Sequence, residues 1–156
     1  MNAIDTITLI GHSSNSKKLD DHLESIGIHE RPKKNESTVF IENKNSFITL
    51  TFQDYYCYLD ESLTPPHNKG KFVLQAVEFY NSTTWKLPYN LNFSSPASEL
   101  EKHIGPLKKS FSRQNNKTSL TYAHNNLLII IHLKDNKIIS ITFKNPDIYD
   151  EKQKII

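Results

Sequence analysis

The chain has 156 residues, of which 37% are hydrophobic and 10% aromatic, and its formal net charge is +2. This length supports one packed domain, and the near-neutral charge argues against a nucleic-acid-binding protein, which would need a clustered basic face. Because Cys57 is the single cysteine, an intrachain disulfide and a cysteine metal cluster are excluded. The N-terminus lacks a signal-peptide pattern and no apolar run is long enough to span a membrane, so we expect a soluble, cytoplasmic protein without a membrane partner.

The first half begins with an ambiguous segment and continues into a clear helix. Residues 4–10 alternate between apolar and polar side chains, which fits either an edge strand or the approach to a helix. Leu19, Leu23 and Ile26 recur at helical spacing, and Gly27 ends that pattern. Apolar runs then predict three strands, at 38–41, 47–52 and 73–80.

An insertion at about residues 53–72 separates the second and third of these strands. It carries three tyrosines close to three acidic residues. Tyrosine is frequent at protein interfaces because it offers a large contact area at low entropic cost, and acidic neighbours would steer a basic partner. Two interpretations stay open: a partner-binding surface, or a strand extension with alternate tyrosines buried and a Pro-containing loop after it.

The second half follows the same order with stronger signals. Ser95 is placed to cap a helix that has Pro96 at its first position, and Gly105 stops it. The apolar face of this helix is formed by Ala97, Leu100 and Ile104. After a polar gap, three further strands are predicted at 120–123, 127–133 and 138–143, connected by Asn-Asn and Asp-Asn turns.

The matched order indicates two tandem repeats, at about 10–80 and 87–143, within a single α+β domain covering 1–156. Each repeat is expected to be a helix followed by a three- or four-stranded antiparallel sheet, with the two sheets joined into one surface. In the last strand of each repeat, alternation points these residues to the core: Val77, Phe79, Ile141 and Phe143. The other sheet face is then polar and open to a partner.

The sequence shows no recognisable catalytic or metal-binding arrangement. The seven histidines are not spaced like two ligands on one helix turn, and the four glycines do not form a phosphate loop. Cys57 lies among tyrosines, with no residue nearby to stabilise its thiolate. The serine-containing turn at Gly11-His12-Ser13-Ser14 lacks the second glycine of a nucleophile elbow. We therefore expect no catalytic residue, no metal, no cofactor and no enzymatic activity.

The candidate partner-binding residues come from the insertion and from the polar sheet face. They are Tyr55, Tyr56, Tyr58, Asp60, Glu61, Glu78, Tyr80 and His132. The sequence leaves open whether the segment Tyr55 to Glu61 belongs to the interface or to the core.

The repeat pattern resembles a known type. The segment Leu87-Pro88-Tyr89-Asn90-Leu91-Asn92-Phe93, the serine-capped helix ending in Ile104-Gly105-Pro106 and the following meander resemble the repeat of β-lactamase-inhibitor-like proteins and of the related small outer-membrane assembly lipoproteins. The resemblance covers about residues 10–143 and implies tandem repeats whose concave sheet surface grips an enzyme. The chain departs from both families, since it has neither a lipidation cysteine near its start nor the cysteines of the secreted inhibitors.

Small chains of this kind also resemble immunity proteins of bacterial polymorphic toxin systems. That resemblance implies stoichiometric protein–protein binding to a cognate toxin domain, delivered by contact-dependent growth inhibition or type VI secretion during bacterial competition. The alternative is a non-catalytic protein-binding assembly module related to the outer-membrane lipoprotein fold. A third hypothesis is a small enzyme that uses Cys57 or a histidine.

Overall fold

A computed structural model of the chain describes residues 1–33 and 35–156, which form an α+β fold. The helices are α1 (Ala3–Ile7), α2 (Lys17–Ser25), α3 (Tyr55–Glu61), α4 (Glu101–Ile104) and α5 (Ile148–Lys152), with a 3-10 helix at Ala97–Glu99. The strands are β1 (Thr38–Asn43), β2 (Ile48–Asp54), β3 (Phe72–Tyr80), β4 (Leu107–Ser112), β5 (Lys117–His124), β6 (Leu127–Lys134) and β7 (Lys137–Lys144). Among the residues described, no helix has the length and apolar character needed to cross a membrane.

All seven strands form one antiparallel sheet in the order β1-β2-β3-β7-β6-β5-β4. Its central pair is β3 and β7, in which Val77 lies opposite Phe143 and Glu78 lies opposite Thr142. The strands of the first half therefore lie on one side of this pair and those of the second half on the other. The sheet has two edges, β1 and β4, one from each half.

The main core lies between one face of this sheet and three of the helices. Phe79 and Phe143 are fully buried on that face and their rings meet edge to face at 5.9 Å. Helix α2 contributes Leu19 and Leu23, and Ile104 of α4 joins the same cluster, as do Ala3 and Ile7 of α1. The predicted core face is thus confirmed, and the opposite face of the sheet is called the outer face below.

The two predicted turns are tight hairpins. Asn125 and Asn126 have φ values of 50° and 63°, and Asp135 and Asn136 have φ values of 51° and 64°. Two consecutive residues with positive φ are the geometry of the two-residue hairpin turn that matches the twist of the flanking strands. Asn and Asp tolerate this conformation better than most residues, so the turns set the register of β5, β6 and β7.

The structure decides one open alternative and changes two local details. Of the two interpretations of residues 4–10, the edge strand is ruled out, because α1 occupies Ala3–Ile7. The polar gap of the second half contains β4, a strand that was not predicted there, and this gives that half four strands, within the expected three or four. Ser95 does not cap a helix, since the 3-10 helix begins after Pro96 without a side-chain cap; burial of Leu100 and Ile104 holds this segment in place instead.

The insertion is a helix and not an extension of the sheet. The carboxylate of Asp54 accepts hydrogen bonds from the backbone N–H groups of Tyr56, at 3.0 Å, and Cys57, at 3.2 Å. An acidic N-cap of this kind ends β2 and starts α3, because it satisfies N–H groups that the first helical turn leaves without partners. The Nε2 group of Gln53, on the outer face, donates to Glu61 at 2.7 Å. Helix α3 therefore covers one end of the outer face.

Candidate functional site

A hydrogen-bond network begins on β2 and crosses the outer face through β3 to β7. The hydroxyl groups of Thr49 and Tyr80 lie 3.1 Å apart. The Tyr80 hydroxyl also lies 3.3 Å from one carboxylate oxygen of Glu78, to which it donates. The other Glu78 oxygen accepts from Ser140 Oγ at 2.6 Å. These side chains share one face because they sit at alternate positions or directly opposite one another in the sheet.

His132 extends the network to β6 and β5. Its Nδ1 lies 3.1 Å from Ser119 Oγ, and its Nε2 lies 3.0 Å from Thr142 Oγ1. The same Nε2 lies 4.0 Å from a carboxylate oxygen of Glu78. Within the described part of the chain, no buried side-chain nitrogen or oxygen lacks a hydrogen-bond partner. The outer face thus carries fixed polar side chains across five neighbouring strands.

Burial is the main influence on the pKa values of His132 and Tyr80, the two titratable rings in this network. It lowers the pKa of His132; the nearby Glu78 acts in the opposite direction, and Arg113 adds to the lowering. Burial also raises the pKa of Tyr80, and the carboxylates of Glu78 and Glu42 contribute to that rise. Both groups are therefore uncharged in this environment at neutral pH, and the Tyr80 hydroxyl keeps the proton that it donates.

Two exposed aromatic residues stand on the outer face at the edges of the sheet. Phe40 of β1 is 67% exposed, and Phe111 of β4 is 54% exposed. Sequence reasoning missed both. The outward direction of Phe40 could have been predicted from strand alternation, because Ile41 beside it is buried in the core. Phe111 lies in the strand that was not recognised, where it sits opposite Ser119.

The chain segments that form the two halves of the sheet differ in charge. Residues 38–80 contain five acidic and three basic residues, whereas residues 107–144 contain seven basic residues and one acidic residue. Lys134 lies directly opposite Lys117 on one side and Lys137 on the other. Arg113 lies at the end of β4, with its guanidinium 5.8 Å from the centre of the Phe111 ring. The net charge of +2 conceals this separation.

The structure distributes the candidate residues of α3 between the surface and the interior. Tyr56 is 66% exposed, and its ring meets that of the half-buried Tyr55 edge to face at 5.5 Å. Asp60 is exposed, whereas Glu61 is half-buried and accepts a hydrogen bond from Gln53. Glu78, Tyr80 and His132 are half-buried in the network on the outer face.

The prediction that Tyr58 contacts a partner is wrong. This side chain is fully buried, and its hydroxyl accepts a hydrogen bond from Asn145 Nδ2 at 2.8 Å. Helical periodicity explains the difference, because one side of α3 must face the sheet and Tyr58 lies on that side. Tyr58 therefore fastens the insertion to the segment after β7.

Cys57 and two of the histidines lie apart from the network on the outer face. Burial raises the pKa of the Cys57 thiol, and the carboxylates of Asp54 and Glu61 add to this, so the thiolate is disfavoured. His12 and His67 stack on one another with ring centres 4.5 Å apart. No group of three or more His, Cys, Asp or Glu side chains that could hold a metal ion occurs in residues 1–33 and 35–156.

Comparisons with known proteins include one distant structural similarity. No family profile matches the sequence, and no curated protein matches it either. The crystal structure of a DUF4309 family protein (YjgB) from Bacillus subtilis is similar to this chain with a TM-score of 0.48 and 13% sequence identity, over 85% of this chain and 80% of that one.

Proposed function

We propose that this chain is an immunity protein, which binds and neutralises a cognate secreted bacterial toxin in the cytoplasm by stoichiometric protein–protein binding. The observation that carries the proposal is the hydrogen-bonded network on the outer face, running from Thr49 on β2 to Ser119 on β5. A tight complex must offset the entropy of ordering side chains at its interface. Here the polar side chains at the centre of the face are already ordered, so that cost is small.

The dimensions of the outer face suit a stable complex. The sheet has seven strands of six to nine residues. At a spacing of about 4.8 Å and a rise of about 3.3 Å per residue they give a face on the order of 700 Å², of which α3 covers one end. A standard protein–protein interface buries about 800 Å² on each partner. The face is therefore large enough to supply most of one side of such an interface, and Tyr56 and Asp60 of α3 extend it at one end.

Aromatic and charged groups are placed on this face as at protein interfaces. Phe40 and Phe111 stand exposed at opposite edges, and aromatic residues, phenylalanine included, are enriched at protein interfaces relative to the rest of the surface. The acidic half and the basic half give a complementary partner one preferred orientation, because the reversed orientation would bring like charges together.

We also infer that residues 10–80 and 87–143 are two copies of one helix-plus-sheet unit. The strand order mirrors itself about the central pair of β3 and β7, which are the last strands of the two halves. Each half also ends a helix at a glycine with positive φ, 79° at Gly27 and 88° at Gly105. Superposition of the two ranges tests this inference, and it fails if the helix and the strands of one range do not overlay those of the other in the same order.

Growth protection tests the proposed function directly. The proposal predicts a toxin domain encoded beside this gene, and that domain is expressed with and without the chain in the same cells. Under the proposal, cells survive only with the chain, and the two proteins copurify as a one-to-one complex. A stable complex without protection would favour the assembly-module alternative. The absence of both a complex and protection would contradict the proposal.

A further inference from the structure

Strand β1 forms an edge of the sheet and lacks the features that usually prevent a further strand from adding there. Edge strands expose unpaired backbone groups, and proteins commonly block them with lysine, proline or a bulge. The other edge, β4, carries Lys108 and Lys109 and has a register shift between Leu107 and Lys109. Strand β1 contains neither lysine nor proline, and it pairs with β2 without a shift. This edge is therefore open to strand addition.

The backbone groups of β1 that point away from β2 can be identified from one hydrogen bond. The Asp54 N–H donates to the Ser37 carbonyl at 2.8 Å, so Ser37 directs its backbone groups towards β2. In an antiparallel pair the hydrogen-bonded positions alternate along the strand. Thr38, Phe40 and Glu42 therefore direct their N–H and C=O groups to the open side, where no strand lies in the described part of the chain.

From this geometry we propose that β1 pairs antiparallel with β1 of a second copy of the chain, with the two Phe40 residues opposite each other on a two-fold axis. In this register Thr38 lies opposite Glu42 of the other copy, and Val39 lies opposite Ile41. The outward backbone groups of Thr38, Phe40 and Glu42 then form about six hydrogen bonds between the copies. Both Phe40 rings lie on the outer face, so the outer faces of the two copies join into one surface.

The charges at the ends of β1 favour this register and a second copy as the partner. Glu36 lies just before the strand and Lys44 just after it, both exposed and equally far from Phe40. Pairing about Phe40 therefore places each Glu36 opposite Lys44 of the other copy, and opposite charges placed in this way stabilise a sheet. Moving the centre one residue towards Glu36 would set Glu36 against Glu42, and moving it one residue the other way would separate Glu36 from Lys44. This inference is independent of the proposed function, because it concerns contact between copies of the chain.

Sedimentation equilibrium of the full chain over a range of concentrations tests for the dimer. A single pair of short strands is a small interface, so the dimer should be weak, with a Kd on the order of 100 μM. The weight-average mass should rise with concentration from 18.0 kDa towards twice that value. A chain that is still monomeric at about 1 mM, roughly ten times the expected Kd, would overturn the proposal.

Charge exchange locates the contact. Lys44→Glu sets two carboxylates against each other at both ends of the pair and should raise the dimer Kd at least about fivefold at low ionic strength. The double variant Glu36→Lys with Lys44→Glu should restore Kd to within about twofold of the wild-type value. Within one copy these positions lie about 26 Å apart along the strand, well beyond the Debye length of about 8 Å, so the rescue can arise only between copies. Lys102→Glu, an equal charge change on exposed α4, is the control and should leave Kd unchanged. A dimer that Lys44→Glu does not weaken, or a double variant no tighter than Lys44→Glu alone, would overturn the proposal.

Discussion

His132 Nε2 lies 4.0 Å from a carboxylate oxygen of Glu78, although the two residues belong to strands separated by β7. An acidic neighbour would normally raise the pKa of a histidine, yet the pKa of His132 is lowered. Burial has the larger effect here, because the free energy needed to remove the imidazolium from water exceeds its electrostatic attraction to Glu78 at this distance. The network is therefore built around a neutral imidazole.

Stability should fall as the pH drops below 6.5, the ordinary pKa of histidine. A lowered pKa in the folded state means that the unfolded chain takes up the proton first, so protonation favours unfolding. His12 and His22 act with the same sign, because burial lowers their pKa values too. Each such group contributes at most about 1.4 kcal/mol per pH unit. Urea unfolding at about pH 7.5 and about pH 5.5 measures the loss.

The variant His132→Gln isolates the contribution of this one residue. Glutamine keeps a donor and an acceptor near Ser119 and Thr142 but does not titrate. The loss of stability between the two pH values should therefore be smaller in the variant than in the wild-type chain. A wild-type protein that becomes more stable as the pH falls through this range would contradict the account.

Tyr58→Phe should destabilise the fold by about 1–2 kcal/mol, because it leaves the buried Asn145 amide without its acceptor. Tyr56→Phe is the matched control, since that hydroxyl belongs to a side chain that is 66% exposed, and its effect should stay within about 0.5 kcal/mol. Urea unfolding of both variants checks the difference. Equal effects would show that Tyr58 does not fasten α3 to the segment after β7.

Lys134→Gln should stabilise the chain by up to about 1 kcal/mol at low ionic strength. Lys134 lies directly opposite Lys117 and Lys137, and like charges placed in this way destabilise a sheet. Salt screens exposed charges, so the gain should disappear at about 1 M ionic strength, where the Debye length is about 3 Å. Thermal unfolding at both ionic strengths measures the effect. A variant that is less stable at low salt would argue against repulsion within this row.

Local sequence patterns were enough to predict the elements whose formation depends mainly on residues close together in the chain. Leu19 and Leu23 marked the buried side of α2, and the Asn125-Asn126 pair marked a hairpin turn. Strand β4 gave no such signal, because all six of its side chains are exposed and only backbone pairing with β5 makes it a strand. Its register could not be read from alternation.

The candidate site could be predicted from the sequence only in part, for the same reason. Alternation correctly placed Glu78, Tyr80 and His132 on the outer face. The network among them depends on which strands are neighbours, and that follows from the tertiary pairing of β3 with β7. The burial of Tyr58 likewise depends on Asn145, a residue 87 positions away in the chain.

Calorimetric titration of the toxin domain into outer-face variants tests the central claim most directly. Phe40→Ser and Phe111→Ser remove exposed rings from the two edges of the outer face, and Lys18→Ser changes an exposed residue of α2, on the opposite side of the sheet. Each Phe variant should raise Kd about 30-fold, or about 2 kcal/mol, with folding intact, whereas Lys18→Ser should bind like the wild type. Wild-type affinity in both Phe variants together with weakened binding by Lys18→Ser would show that the partner does not bind the outer face.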